Sequence, residues 1–119
     1  MAYTNESILD SVKDTLGIAK DDDSFDAEIR MDINSALATL NQVGCGNTVM
    51  ISDSSTKWSD FADPTSEQFG LIQQFVFIKT KLLFDPPAAS TLNAFKEASN
   101  ELIWRIQMAF DHIEEVETK

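Results

Sequence analysis

Asp85-Pro86-Pro87 sits between two long apolar patterns and limits what the chain can build there. A proline has no amide donor, and it biases the residue before it away from helical angles, so a helix arriving from the N-terminal side must stop. Before the break, Phe69, Leu71, Ile72, Phe75, Val76, Ile78, Leu82 and Leu83 recur on one broad arc of a helical wheel. After it, Leu92, Phe95, Ala98, Leu102, Ile106 and Ala109 form a second stripe. Two long helices folded back on each other about the prolines, an antiparallel hairpin, are the expected outcome.

Two further helices precede this pair. Thr4 or Asn5 is placed to cap the first, which carries Ile8, Leu9, Val12 and Leu16 and stops at Gly17. The acids and hydroxyl of Asp21-Asp22-Asp23-Ser24 are placed to cap the second, which carries Phe25, Ile29, Ile33, Ala36, Leu40 and Val43 and closes at Gly44. Residues 44–63 lose this periodicity and read as a long loop, with Thr48 to Ser52 as a short strand at most. Loops of this length inside small domains usually carry function, so Trp58 and Phe61 are read as apolar anchors of a partner-contact loop. Asp63-Pro64 is read as the N-cap and first residue of the third helix, giving about 31 Å of helix up to Phe84 at 1.5 Å per residue. The fold expected is all-α: one four-helix domain over residues 1–119, with helices 3 and 4 as the long hairpin and residues 111–119 as a flexible C-terminal tail.

The same wheel leaves apolar groups on the wrong side. Phe77 and Phe84, seven residues apart, project from the otherwise polar face of helix 3, and Trp104 and Met108 leave the main stripe of helix 4. Two unlike patches at opposite ends of a rod favour a head-to-tail contact between copies, which closes into a ring where the rotation permits. The alternative is that helices 1 and 2 cover both patches within the monomer. Lys79 falls inside the apolar arc, where its stem can lie along apolar surface with the ammonium in water, and Glu67 is set opposite Arg105 across the hairpin.

Composition narrows the partners. Twenty acidic residues against nine basic ones give a net charge of −11, and such a field repels nucleic-acid phosphates and anionic lipid. A lone cysteine, Cys45, permits no internal disulfide and suits a reducing compartment. No signal-peptide pattern opens the sequence and no apolar run is long enough to span a bilayer, so a soluble protein made inside a cell is expected.

Catalytic and metal readings are weak. Cys45 and the single histidine, His112, would need a loop and the far end of helix 4 to meet, with no third group to orient them. Asp21, Asp23 and Asp32 match three positions of a calcium-loop template, but Asp26 stands where a glycine must turn the chain and the last ligand should be a Glu. The expectation is no enzyme activity, no cofactor and no metal.

Lys79, Lys81, Leu82, Leu83, Phe84, Asp85, Pro86 and Pro87, followed by Leu102, Trp104, Arg105 and Ile106, form two segments in which the hairpin resembles the head-tail connector, or adaptor, proteins of tailed bacteriophages. Ile103 stands where the family commonly has a carboxylate, and Ile106 replaces its usual Leu. The resemblance spans residues 5 to 110 and implies a structural virion protein, made in the host cytoplasm. It implies a ring of about twelve copies, by analogy of fold, docked beneath the portal at the head-tail junction. In that role the ring extends the DNA channel without binding DNA specifically and offers a surface to a stopper or tail-completion protein. A monomeric acidic binding protein, a DNA mimic or antitoxin-like inhibitor, is the other reading of the same charge; it requires carboxylates spaced like phosphates along one face.

Overall fold

A computed structural model of the chain describes residues 6–117, with side chains up to Ala109. Among the described residues all regular structure is helical: α1 (Ile8–Thr15), α2 (Asp26–Gln42), α3 (Trp58–Phe61), α4 (Phe69–Phe84) and α5 (Ala89–Glu117). The additional helix, α3, is a single turn inside the expected loop, so the count is five and not four. Thr48 to Ser52 forms no strand.

Helix ends follow local chemistry, with some displaced from their expected positions. Ser7, and not Thr4 or Asn5, caps α1: its hydroxyl accepts the Asp10 amide at 3.2 Å. α2 lacks a side-chain cap bond; the acidic run ahead of it instead closes a turn, in which the Asp22 carboxylate accepts the Ser24 amide at 3.1 Å. α4 begins at Phe69, five residues after Pro64, because Asp63 spends its carboxylate on the Thr65 amide (2.9 Å) and hydroxyl (2.7 Å). The backbone then runs through successive turns, with the Ser66 amide on the Asp63 carbonyl and the Phe69 amide on the Ser66 carbonyl. At the other end, Asp85 leaves helical angles at φ −142° and ψ 72°, as a residue before proline must. α5 continues to Glu117, well into the segment expected as a tail, since no glycine or proline interrupts it after Pro87.

The core joins α1, α2, α4 and α5 with the loop that contains α3. Ile8, Leu9 and Val12 from α1 meet Ile29, Ile33, Ala36, Leu37 and Leu40 from α2, and Phe69, Ile72, Phe75 and Val76 from α4. Leu102 and Ile106 add the inner side of α5, and the closest helix contacts are α2 with α4 and α4 with α5. The alternation of buried and exposed positions along α2 is the 3.6-residue period of its sequence stripe.

The long loop is fixed by amide side chains. Asn34 of α2 accepts the Ile51 amide at 2.7 Å and donates back to the Ile51 carbonyl at 3.2 Å, doing for residue 51 what a neighbouring strand would do. Asn41 donates to the Cys45 carbonyl at 3.0 Å, and Asn47 donates its side chain to the Asp60 carbonyl and its backbone amide to the Phe61 carbonyl. The Ile8 amide on the Thr56 carbonyl and the Trp58 amide on the Glu6 carbonyl then tie the loop to the start of α1.

One buried polar atom in this core has no partner among the described residues, the hydroxyl of Thr80 on α4, whose residue is fully buried. Valine has nearly the same shape without the hydroxyl and the same β-branching, so Thr80→Val removes a desolvated, unpaired group at little packing cost. It is expected to stabilise the fold by about 1 kcal/mol, read as a higher denaturant midpoint with unchanged slope.

Candidate interaction surface

Trp58 and Phe61 do not face outward. Both are fully buried, which corrects their expected role as anchors of a contact loop. Trp58 packs edge-on against Phe69 (6.2 Å between centroids) and Phe77 (5.8 Å), and its indole N–H donates to the Ser11 hydroxyl at 3.1 Å. It therefore links α1, α3 and α4 inside a single copy. Gly46, at φ +81°, lies directly over Phe61, and a Cβ there would come within 2.2 Å of the ring.

This arrangement also divides the expected Phe77 and Phe84 patch. Phe77 is half-buried because Trp58 sits beneath it. Phe84 is likewise half-buried, with its ring edge-on to Phe25 at 5.6 Å, and the exposed apolar surface at that end belongs to Phe25 and Leu83. Trp104 and Met108, in contrast, remain 59 % and 51 % exposed on α5, and Met31 and Met50 are exposed on α2 and the loop. A tryptophan carries a large apolar surface, and among the described residues none covers most of this one.

The segment around the proline break is built locally. The Lys81 ammonium pairs with the Asp85 carboxylate at 2.8 Å, one helical turn on, and the Asp85 amide donates to the Lys81 carbonyl. Lys79 and Leu82 are half-buried, Leu83 and Pro86 exposed and Pro87 half-buried. Arg105 pairs with Glu101 at 3.0 Å along α5; this replaces the expected partner Glu67, because the i,i+4 spacing brings Glu101 within reach without spanning two helices. Between α4 and α5 runs a groove of about 500 Å³, walled by Leu71, Phe77, Ile78, Ala98 and Leu102, with Gln74 and the Glu101–Arg105 pair also lining it.

The buried charge of the molecule was not foreseen in the sequence. Lys13 on α1 is almost wholly enclosed, with its ammonium 2.8 Å from the Asp26 carboxylate at the start of α2 and 3.0 Å from the Lys20 carbonyl. A lysine on a short amphipathic helix ordinarily reads as solvent-facing, and its partner lies on another helix; only the fold brings them together.

The residues considered for catalysis or metal binding are placed as follows. Cys45 is fully buried, and burial pushes its thiol up to about 11, so it is held as a thiol and not as a nucleophilic thiolate. The side chain of His112 lies outside the described side chains. Among the described residues no group of three His, Cys, Asp or Glu could hold a metal ion. Asp21 and Asp23 are exposed ahead of α2, and burial together with the charge of Glu28 raises the Asp32 carboxyl above its usual range. Several loop acids serve turns: hydrogen bonds from Ser24, Ser55 and Thr65 hold Asp22, Asp53 and Asp63 below the usual carboxylate range. No helix among the described residues is long and apolar enough to cross a membrane.

The family model described as "Phage connector protein" matches residues 8–112. No curated protein and no solved structure matches the chain.

Proposed function

Because the chain belongs to the phage connector protein family, a bacteriophage structural family and not an enzyme family, we propose that it assembles into a closed ring at the head-tail junction. The ring docks beneath the portal, continues the DNA channel and presents a surface to the stopper or tail-completion protein. A ring of about twelve copies is the form proposed, by analogy of fold.

The observation that carries this reading is the exposure of Trp104 and Met108 on a helix that extends beyond its partner. α5 has 29 residues and α4 has 16; at 1.5 Å per residue that is about 43 Å against 24 Å. We read the two as an antiparallel hairpin turning at Pro86-Pro87, which sets the start of α4 near Trp104. Beyond that point α5 has no α4 alongside it, and Trp104 and Met108 are left for a neighbouring copy to cover.

Charge supports the same role. A net charge of −11 keeps DNA phosphates from adhering to a channel wall, so that DNA passes without specific binding. The monomeric DNA-mimic reading is less well supported, since Asp22, Asp53 and Asp63 are engaged in loop turns and Asp26 in a buried pair.

The test is reconstitution. Purified chain mixed with portal assemblies of the same phage and imaged by electron microscopy is expected to add an annular layer on one end of the portal. A chain that stays monomeric and leaves the portal images unchanged would refute the reading.

A further inference from the structure

We propose that residues 48–52 present an open backbone edge that pairs, antiparallel, with the same segment of a second copy of this chain. The contact is separate from the α5 surface and goes beyond the ring reading, and neither depends on the other.

The edge follows from the way Asn34 holds Ile51. The Asn34 side chain accepts the Ile51 amide and donates to the Ile51 carbonyl, so both backbone groups of that residue point toward α2. In a planar trans peptide the C=O and N–H lie on opposite sides of the bond. The Met50 carbonyl and the Ser52 amide therefore point away from α2, and neither has a hydrogen-bond partner among the described residues. Side chains here alternate as they do along a strand: Val49 packs against the core and Ile51 is buried in it, while Thr48, Met50 and Ser52 are exposed. Free donors and acceptors in a row are a template for another extended chain. With Asn34 and two anchored side chains already fixing this one, it loses little freedom on pairing.

Charge indicates what the other chain is. About a quarter of the residues are charged and the net charge is −11, yet Ile33 to Ser52, twenty consecutive residues, carry no charged side chain. Two identical acidic copies repel over most of their surface and least along this stretch. A basic partner, in contrast, gains nothing from a neutral edge. Antiparallel pairing of the segment with itself brings Met50 near Met50 and Thr48 near Ser52, so no like charges stand opposite each other. It also covers Met50, which is 76 % exposed in one copy. Asp53, the next charge along, is turned back onto the Ser55 amide, with the charge of Arg30 also acting on it. A contact that pairs like with like stops at two partners, so it joins single chains, or whole rings, in pairs.

Two measurements on the purified chain without portal test the contact. In the first, Met50→Cys is compared with Met31→Cys, an equally accessible position on α2 that lies off the edge, under mild oxidation with diamide. Native Cys45, fully buried, is the silent background. A disulfide needs its two Cα atoms within about 4.4 to 6.8 Å, so Met50→Cys is expected to give at least about fivefold more covalent dimer than Met31→Cys. In the second, amide hydrogen exchange is followed residue by residue by NMR in the unmodified chain. The Ser52 amide is expected to exchange about tenfold or more slowly at high protein concentration than at low, while the Ile51 amide, held by Asn34, is protected at both. Equal dimer yields from the two cysteine variants, or Ser52 exchange that ignores concentration, would overturn the proposal. Protection of Ser52 that appears only when portal is added would overturn it too, assigning the edge to a strand of the portal. Each of these contrary results leaves the ring reading standing.

Discussion

Gly46→Ala is expected to destabilise the fold by about 2 to 5 kcal/mol, for two independent reasons. The residue sits at φ +81°, where an L side chain meets its own backbone; that strain alone costs about 1 to 2 kcal/mol. In addition, the new methyl would come within 2.2 Å of Phe61, a ring that is fully buried and has nowhere to retreat. Overpacking of this kind adds about 1 to 3 kcal/mol. Gly17 supplies the control, because at φ +77° it has the same backbone requirement but nothing within 4 Å of an added Cβ. Gly17→Ala should therefore show the backbone cost alone. For a chain of this size the melting temperature should fall by about 10 °C or more with Gly46→Ala and by clearly less with Gly17→Ala. Equal losses for the two would mean that Phe61 yields freely, and that the loop is not locked to the core as described.

The second large effect concerns the enclosed ammonium. Asp26→Asn leaves Lys13, 1 % exposed, facing a neutral amide in place of a carboxylate 2.8 Å away. Stripping the partner from a buried charge typically costs about 3 to 5 kcal/mol. Lys13→Met removes the charge at the enclosed end and leaves Asp26, 21 % exposed, with access to water, so it should cost much less. The double variant should be more stable than Asp26→Asn alone, a coupling of about 1 to 3 kcal/mol in a double-mutant cycle by urea unfolding. A cost below about 0.5 kcal/mol for Asp26→Asn would class the pair with ordinary surface bridges and contradict this account of how α1 is held against α2.

Much of the fold was legible because long helices advertise themselves. The stripe from Ile29 to Leu40 gives the inner side of α2 directly, the proline pair ends α4 at Phe84, and Gly17 and Gly44 follow the helices they close. Where the reading failed, the deciding contact was distant in sequence or too short to show a period. α3 is one turn of four residues, so nothing marks Trp58 and Phe61 as inward except the loop that carries them. Phe77 lies on the polar side of its own wheel, and only Trp58 beneath it makes that side an interior. Asp63-Pro64 has the chemistry of a helix start, yet the Asp63 carboxylate is satisfied within two residues by Thr65, and α4 begins later. Lys13 is polar by type and buried by position, a conflict that only its partner on α2 resolves. On the surface, Trp104 and Met108 could be read as outward from spacing alone, whereas the groove between α4 and α5 needs both helices in place.

The central claim is that one folded copy leaves apolar surface on α5 that copies of the same chain cover. Light scattering on the purified chain, alone and with portal, over a range of concentrations measures this most directly. The account predicts a discrete annular mass many times that of the 13.3 kDa chain, reduced toward monomer by Trp104→Asp while helicity measured by circular dichroism is retained. A mass that stays at one copy in every condition, or assembly indifferent to Trp104→Asp, would contradict it.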